Sequence, residues 1–176
     1  MKEIQLTKGQ VALVDDEDYE RINKYKWRAK LDKKSKSYYA ARTINYYNKF
    51  NKRTARTIFM AREIMNLTSN DKLHVDHKNH DTLNNQKDNL RLATNNQNQY
   101  NKLKLKNKTS IYKGVSWNKK DKKWKTSIGF NGKRIHLGYF KPTPEGEILA
   151  AKTYDKKAVE LFGEFALLNF PKENYI

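Results

Sequence analysis

Apolar and polar residues alternate over residues 4–14 well enough for two short strands, one on each side of Lys8-Gly9. Asp15, Asp16, Glu17 and Asp18 follow, and acids in that position favour a helix start by capping and by complementing the helix dipole. That helix is expected to reach about Trp27. Residues 38–43 and 56–60 read as strands, with 45–52 a polar hairpin turn between them and 61–66 a short helix. Residues 73–77 read as another strand, and 78–88 as a loop rich in the turn-formers Asn and Asp. Residues 89–93 form a candidate returning strand, and Thr94 is placed to cap a helix through Asn101.

The second half of the chain has a different rhythm. Residues 111–116, 124–130 and 133–140 read as three strands, the last two joined by Asn131-Gly132, a strong two-residue hairpin signal. Pro142 and Pro144 close the sheet and open a helix over 145–162. Ile148, Ala151, Tyr154, Ala158 and Phe162 recur on it at helical spacing, and Gly163 supplies a stop. Between the halves, 102–110 reads as a basic linker, the alternative being a short strand at Leu103 and Leu105. The pattern therefore predicts an α+β protein of two modules: 1–101, the linker 102–110, and 111–176.

Composition sharpens this picture in three ways. Hydrophobic residues are 37% of the 176, which favours two thin cores over one large core. There is no cysteine, so disulfides, a disulfide-linked partner and a Cys-type zinc site are excluded. Lys and Arg number 37 against 19 Asp and Glu, a net charge of +18 that attracts polyanions. From Lys102 to Arg134 there are twelve cations and one acid, Asp121, interleaved with Tyr112, Trp117, Trp124 and Phe130. Cations mixed with aromatics suit a folded nucleic-acid surface better than a disordered tail. No apolar run approaches membrane-spanning length, and the first twenty residues lack a signal-peptide core. These features predict an intracellular, cytoplasmic protein that does not enter membranes.

The candidate chemistry lies in Leu73-His-Val-Asp-His77, Asn89-Leu-Arg91 and Thr94-Asn-Asn-Gln-Asn98. Asp76 and His77 end an apolar strand, where a bent backbone lets both reach one site. A hairpin returning the next helix over that strand would set Asn98 opposite Asp76. Phosphodiester hydrolysis needs an activated water, a Lewis acid and a group that orients the base. A neutral His is a suitable general base near pH 7. An Asp carboxylate and an Asn carbonyl are hard oxygen ligands, suited to Mg²⁺ or Mn²⁺. An isolated Asp-His pair is more often a surface hydrogen-bonded pair; the pair with its Asn-rich loop, Asn-Leu-Arg and Thr-x-x-x-Asn is far more specific. His74 reads as packing or site support, and His80 as a loop residue. Arg91 has two readings, a phosphate clamp or the partner of a loop acid.

Residues 73–101 resemble the HNH motif of phage and intron homing endonucleases, a branch of the His-Me finger nucleases. The spacings of 12 residues from His77 to Asn89 and 21 to Asn98 are similar to that family. The resemblance implies a ββα-metal fold, with His77 as general base and Asp76 and Asn98 on a single divalent ion. Asn89 would brace the loop and orient the base. Leu6-Thr-Lys-Gly9, Val14-Asp-Asp-Glu-Asp-Tyr19 and Tyr25-Lys-Trp27 resemble the family's lead-in. Relatives often carry His-Arg where this chain has Ala61-Arg62, which leaves Arg62 as a candidate DNA-backbone contact.

Tyr112-Lys-Gly-Val115, Trp124, Leu137-Gly-Tyr-Phe140, Ala150-Ala, Ala158 and Leu168-Asn-Phe-Pro171 resemble the APETALA/ethylene-response-factor domain of plants. That resemblance covers about 110–171 and implies a three-stranded antiparallel sheet that enters the DNA major groove, packed on one helix. By position, Lys113, Ser116, Asn118, Ser127, Arg134 and His136 would face DNA. Ser116, Asn118, Ser127 and His136 depart from the Arg and Trp favoured in plants, so the plant target site does not carry over. Trp124, Ile128 and Leu137 are expected in the core, with Trp117 either stacking or core.

The two halves together predict a site-targeted, homing-type DNA endonuclease, intron-associated or free-standing. It would nick or cleave duplex DNA with one Mg²⁺ (or Mn²⁺), act as a monomer and be of phage type. The competing class is a DNA-binding regulator whose nuclease core is inactive. The intact set of Asp76, His77, Asn89 and Asn98 argues against it.

Overall fold

The computed structural model describes residues 1–103 and 109–175. Most of the proposed linker, 104–108, lies outside the described residues, as does the Leu105 half of the alternative strand. The chain is a mixture of helix and sheet in two units, Met1–Asn95 and Asn96–Ile176.

In the first unit, β1 (Lys2–Gln5) and β2 (Val11–Val14) form the expected antiparallel hairpin around a 3-10 turn, Thr7–Gly9. The helix α1 is Asp16–Asn23, shorter than its acidic start predicts. It stops early because Trp27 turns into the core and donates its indole N–H to the Ile22 carbonyl at 2.8 Å. The strand β3 (Arg28–Leu31) is absent from the pattern reading. Its four residues, Arg-Ala-Lys-Leu, do alternate polar and apolar, but the run is too short and too weakly apolar to announce itself. It pairs with the first four residues of β4 (Tyr38–Tyr47), which in turn pairs with β5 (Arg53–Phe59). The hairpin turn is thus Asn48–Lys52 rather than 45–52: Asn48 Oδ1 accepts the Phe50 and Lys52 amides and closes a tighter turn. After α2 (Met60–Ile64) come β6 (His74–His77) and β7 (Leu90–Ala93), paired antiparallel. Ile4, Ala12, Val14, Ile22, Trp27, Ala40, Met60, Ile64 and Leu90 form the core of this unit.

The second unit opens with α3 (Asn95–Tyr100) from Asn96 onward. The sequence reading ends the first module at 101. The contacts divide earlier because Tyr100 stacks on Phe162, ring centroids 3.9 Å apart and planes within 10°. Strands β8 (Val115–Asn118), β9 (Lys123–Phe130) and β10 (Lys133–Phe140) form an antiparallel sheet in the order β10-β9-β8. Helix α4 (Pro144–Phe162) packs on it. Thr143 caps α4 by accepting the Gly146 amide at 3.1 Å, and Gly163 ends it at φ 54°.

Ile148 was expected in the buried stripe of α4 but is 37% exposed. The face that meets the sheet carries Ala150, Ala151, Tyr154, Asp155, Ala158 and Phe162. Ile128 is buried, Trp124 and Leu137 pack partly buried beside their clusters, and Trp117 lies edge-on to Trp124 at 5.0 Å. Gly114 has φ 81° and meets the Tyr154 ring where a Cβ would stand, 1.9 Å from Cδ2, so a side chain there would collide with the core.

Asp155 is fully buried within this packing. Its carboxylate accepts the Asn169 and Phe170 amides, the Asn169 side-chain N–H₂ and the Tyr175 hydroxyl, all at 2.8–3.0 Å. One side chain therefore ties the chain's last turn to the middle of α4. Asp155→Ala would strand several buried donors at once. It should lower the stability of this unit by about 3 kcal/mol or more, read as a shift of the urea midpoint. Wild-type stability would show that the C-terminal turn is held by packing alone.

Candidate functional site

The β6–β7 register sets the first part of the site. His74 pairs with Ala93, Val75 with Leu92, Asp76 with Arg91 and His77 with Leu90. Directly opposed residues on antiparallel strands share a face, so Asp76 and Arg91 meet. The Arg91 guanidinium donates from Nε at 2.9 Å and Nη2 at 2.7 Å, both to Asp76 Oδ2. Arg91 does pair with an acid, but with Asp76 of β6, the candidate ligand itself, rather than with a loop acid. Both bonds go to one carboxylate oxygen, and Arg91 thereby orients Asp76, whose hard oxygens are of the kind that suits a hard cation.

His77 is 6% exposed. Burial pushes its imidazole below the ordinary histidine range; Asn85, Asp76 and Asp81 act in the opposite direction. The net effect keeps the ring neutral at pH 7, the form a proton acceptor needs. Tyr39 of β4 packs edge-on to the ring, centroids 6.3 Å apart. His77 Nε2 lies 3.4 Å from Asn85 Oδ1, a long hydrogen bond. The Asn85 amide is oriented by its own N–H₂, which donates to the Leu83 carbonyl at 3.0 Å. Its oxygen therefore faces the imidazole, an arrangement that favours the tautomer with the ring proton on Nε2 and Nδ1 as the basic nitrogen. Asn85 is 1% exposed and is absent from the sequence reading. In an Asn-rich loop, nothing in the one-dimensional pattern separates it from Asn79 or Asn84.

The loop between β6 and β7 satisfies its backbone through its Asn and Asp side chains. Asn89 Oδ1 accepts the Asn79 amide at 3.0 Å, and its N–H₂ donates to the Asn84 carbonyl at 2.8 Å. Asn89 thus spans the loop from within. The loop is also pinned to β2: the Leu13 amide donates to Leu83 O at 2.9 Å, and the Asn85 amide to Leu13 O at 2.8 Å. Asp15 joins this brace. It makes no side-chain cap on α1; instead it accepts from Gln86 Nε2 at 3.1 Å and the Lys87 amide at 2.8 Å. The N-terminal hairpin therefore buttresses the loop that carries Asn85 and Asn89. His74 is exposed, and His80 sits in the loop at φ 65°, its amide donating to the His77 carbonyl at 3.1 Å.

Arg62 donates to the carbonyls of Leu73, Thr68 and Asp71 and so holds the segment that enters β6. Asn98 lies on α3, in the second unit. Among the described residues, no three His, Cys, Asp or Glu side chains cluster as a metal site would require. The Asp76 carboxylate is a hard-oxygen donor, a type that suits Mg²⁺ better than zinc.

In the second unit, the sheet register gathers most of the expected DNA-facing residues. Ser116 opposes Lys125, Asn118 opposes Lys123, His136 opposes Ser127 and Arg134 opposes Gly129. Ser116, Asn118, Ser127, Arg134 and His136 therefore share the face away from α4, with Lys123, Lys125 and Tyr139 beside them. These three are missing from the sequence reading; the alternation of β9 with its buried Thr126 and Ile128 is the signal that locates Lys123 and Lys125. Asn118 also closes the turn after β8, with Oδ1 accepting the Lys120 amide at 3.0 Å. Lys113 is placed otherwise. Its ammonium donates to the carbonyls of Tyr100 and Lys102 at 2.5 and 2.8 Å and so closes the end of α3. Burial lowers its pKa to about 8 despite the opposing charge of Asp155. No helix among the described residues is long and apolar enough to cross a membrane.

Comparison with known proteins bears on the first of these sites. A family profile described as HNH endonuclease matches residues 69–100, which run from before β6 to the end of α3. The chain is 42% identical over 97 residues to an uncharacterized HNH endonuclease of Acanthamoeba polyphaga mimivirus. That match covers 55% of this chain and 47% of the mimivirus protein, so the chain spans about half the length of that relative. It is 33% identical over 93 residues to Protein 3.8 of Escherichia phage T7, covering 53% of this chain and 73% of the phage protein.

Proposed function

We propose that this chain, whose residues 69–100 match an HNH endonuclease profile, is a site-targeted, divalent-metal-dependent nuclease of the homing type that hydrolyses phosphodiesters in duplex DNA. The observation that carries the reading is the buried pair at the end of β6. His77 is held neutral and tautomerically oriented by Asn85, and Asp76 is oriented by Arg91 on the opposing strand.

In the proposed reaction, His77 Nδ1 takes a proton from a water as its oxygen attacks phosphorus. A P–O bond to the leaving sugar oxygen breaks, and that oxygen acquires a proton from solvent. Asp76 would hold the metal, which supplies Lewis-acid stabilisation of the phosphate and leaving oxygen when bound. Asn89 and Asn85 act through the loop: Asn89 keeps its shape, and Asn85 keeps the imidazole proton on Nε2. Mg²⁺ is the preferred ion on ligand hardness, with Mn²⁺ close behind.

We assign target reading to the sheet of the second unit, in the manner that the resemblance to the APETALA/ethylene-response-factor domain implies. Its support is that Ser116, Asn118, Ser127, Arg134 and His136 share one basic sheet face. Arg62, Arg91 and Lys113 act chiefly as internal braces in this reading, since each is bonded to protein acceptors.

The test is incubation of the full chain with supercoiled plasmid. Mg²⁺ or Mn²⁺ should support conversion to nicked or linear forms, and EDTA should abolish it. Robust cutting in EDTA would rule out the metal-dependent mechanism. Tight binding without cutting in any divalent ion would favour the regulator with an inactive core.

A further inference from the structure

The strands β4 and β5 extend well beyond the sheet they belong to. β3 pairs only with Tyr38–Ala41 of β4. From Arg42 to Tyr47, β4 pairs with β5 alone, as a ribbon two strands wide and about 20 Å long. Opposed residues share a face, so Thr43 and Thr57, Asn45 and Ala55, and Tyr47 and Arg53 line one side of it. Of these only Thr57 is even partly buried. At the tip, Tyr47 is 68% and Phe50 70% exposed.

The charge around this ribbon is one-sided. From Lys33 to Arg62 the chain carries nine cations and no acid, bounded by Asp32 and Glu63. Arg42 is engaged by Glu63, and Arg62 by loop carbonyls. Lys49, Lys52 and Arg53 stand exposed at the tip, Lys49 lying 5.0 Å over the Phe50 ring. A ribbon kept only for solubility would not need two large aromatics at its end, and a protein-docking ribbon would not need to exclude every acid. Cations, aromatics and a flat face of Thr, Asn and Ala fit a nucleic-acid duplex. The major groove admits a two-stranded ribbon, Asn pairs with an adenine edge, and Thr and Ala methyls contact thymine methyls.

We propose that the β4–β5 ribbon is a second DNA-binding element, carried by the nuclease unit itself. It enters a groove of the duplex with Asn45, Ala55 and Thr43 toward the bases, and with Lys49, Lys52 and Arg53 on phosphates. The proposal rests on the reading of the chain as a DNA nuclease, and its test separates the two. Full-length protein is titrated with a duplex in EDTA at several salt concentrations, and its cleavage is measured separately in Mg²⁺. Lys49→Gln/Lys52→Gln/Arg53→Gln is compared with a charge-matched control, Lys152→Gln/Lys156→Gln/Lys172→Gln. Loss of up to three phosphate contacts should reduce the slope of log affinity against log salt by up to about 2.7. It should also weaken binding roughly tenfold or more, while the control stays near wild type. A ribbon variant that cuts, and binds with the control's affinity and slope, would overturn the proposal. Loss of binding in the ribbon variant alongside a wild type that never cuts would support the ribbon and remove the nuclease reading.

Discussion

His77→Ala should lower the DNA cleavage rate by about 10²-fold or more while leaving DNA affinity unchanged. The expectation follows from the state of the ring in the fold. The imidazole is buried, which disfavours its charged form, and the Asn85 carbonyl oxygen facing Nε2 directs the basic lone pair to Nδ1. No other histidine shares this setting: His74 is exposed, His80 lies in the loop and His136 is on the sheet of the second unit. Removing the ring removes the proton acceptor but no surface cation, so binding should persist. The measurement is single-turnover cleavage at saturating protein beside a binding titration in EDTA. Wild-type rates in His77→Ala would take His77 out of the chemistry.

Replacing Asp76 should reduce cleavage to the level seen in EDTA. Asp76→Ala also removes the acceptor of two hydrogen bonds from the largely buried Arg91, so part of its effect would be structural. Asp76→Asn is the cleaner variant. Its amide oxygen still accepts from Arg91, but the negative charge that favours a divalent cation is gone. Both variants should fail to cut in Mg²⁺, and Asp76→Asn should retain near-wild-type unfolding and DNA binding. Raising Mn²⁺ should restore some activity to Asp76→Asn, because an amide oxygen remains a weak hard ligand. Full activity of Asp76→Asn at low Mg²⁺ would mean that this carboxylate serves the strand pair and not a metal.

These two residues were legible because their signals are local. Asp-His at the end of a short apolar strand, followed by an Asn-rich loop and Asn-Leu-Arg, places both groups within one hairpin, and the hairpin forms as expected. The Asn131-Gly132 turn, the three strands of the second unit, and α4 with its Gly163 stop were legible for the same reason. Each depends on residues a few positions apart. The errors share the opposite property. Trp27 ends α1 by reaching a core built from distant strands, and Asp15 abandons the cap to hold a loop more than seventy residues away. Ile148 has the spacing of a buried residue, but the start of α4 buries Gly146 and Ala150 instead, while Ala151, Tyr154, Ala158 and Phe162 are buried as expected.

Pattern and charge along the chain were enough to establish a mixed α and β architecture and a basic character, and to nominate two modules and the groups proposed for the chemistry. Those properties follow from residue type and short-range periodicity, which need no knowledge of distant neighbours. The tertiary structure alone decided which acid Arg91 meets, which of several loop asparagines faces His77, and that β2 buttresses that loop. It also decided that α3 is packed through Tyr100 into the second unit, and that the β4–β5 hairpin runs on as a bare basic ribbon. The physical reason is that hydrogen bonds and aromatic stacking act over a few ångströms between residues far apart in sequence. Chemically equivalent asparagines or arginines become distinct only when folding gives each a different neighbour.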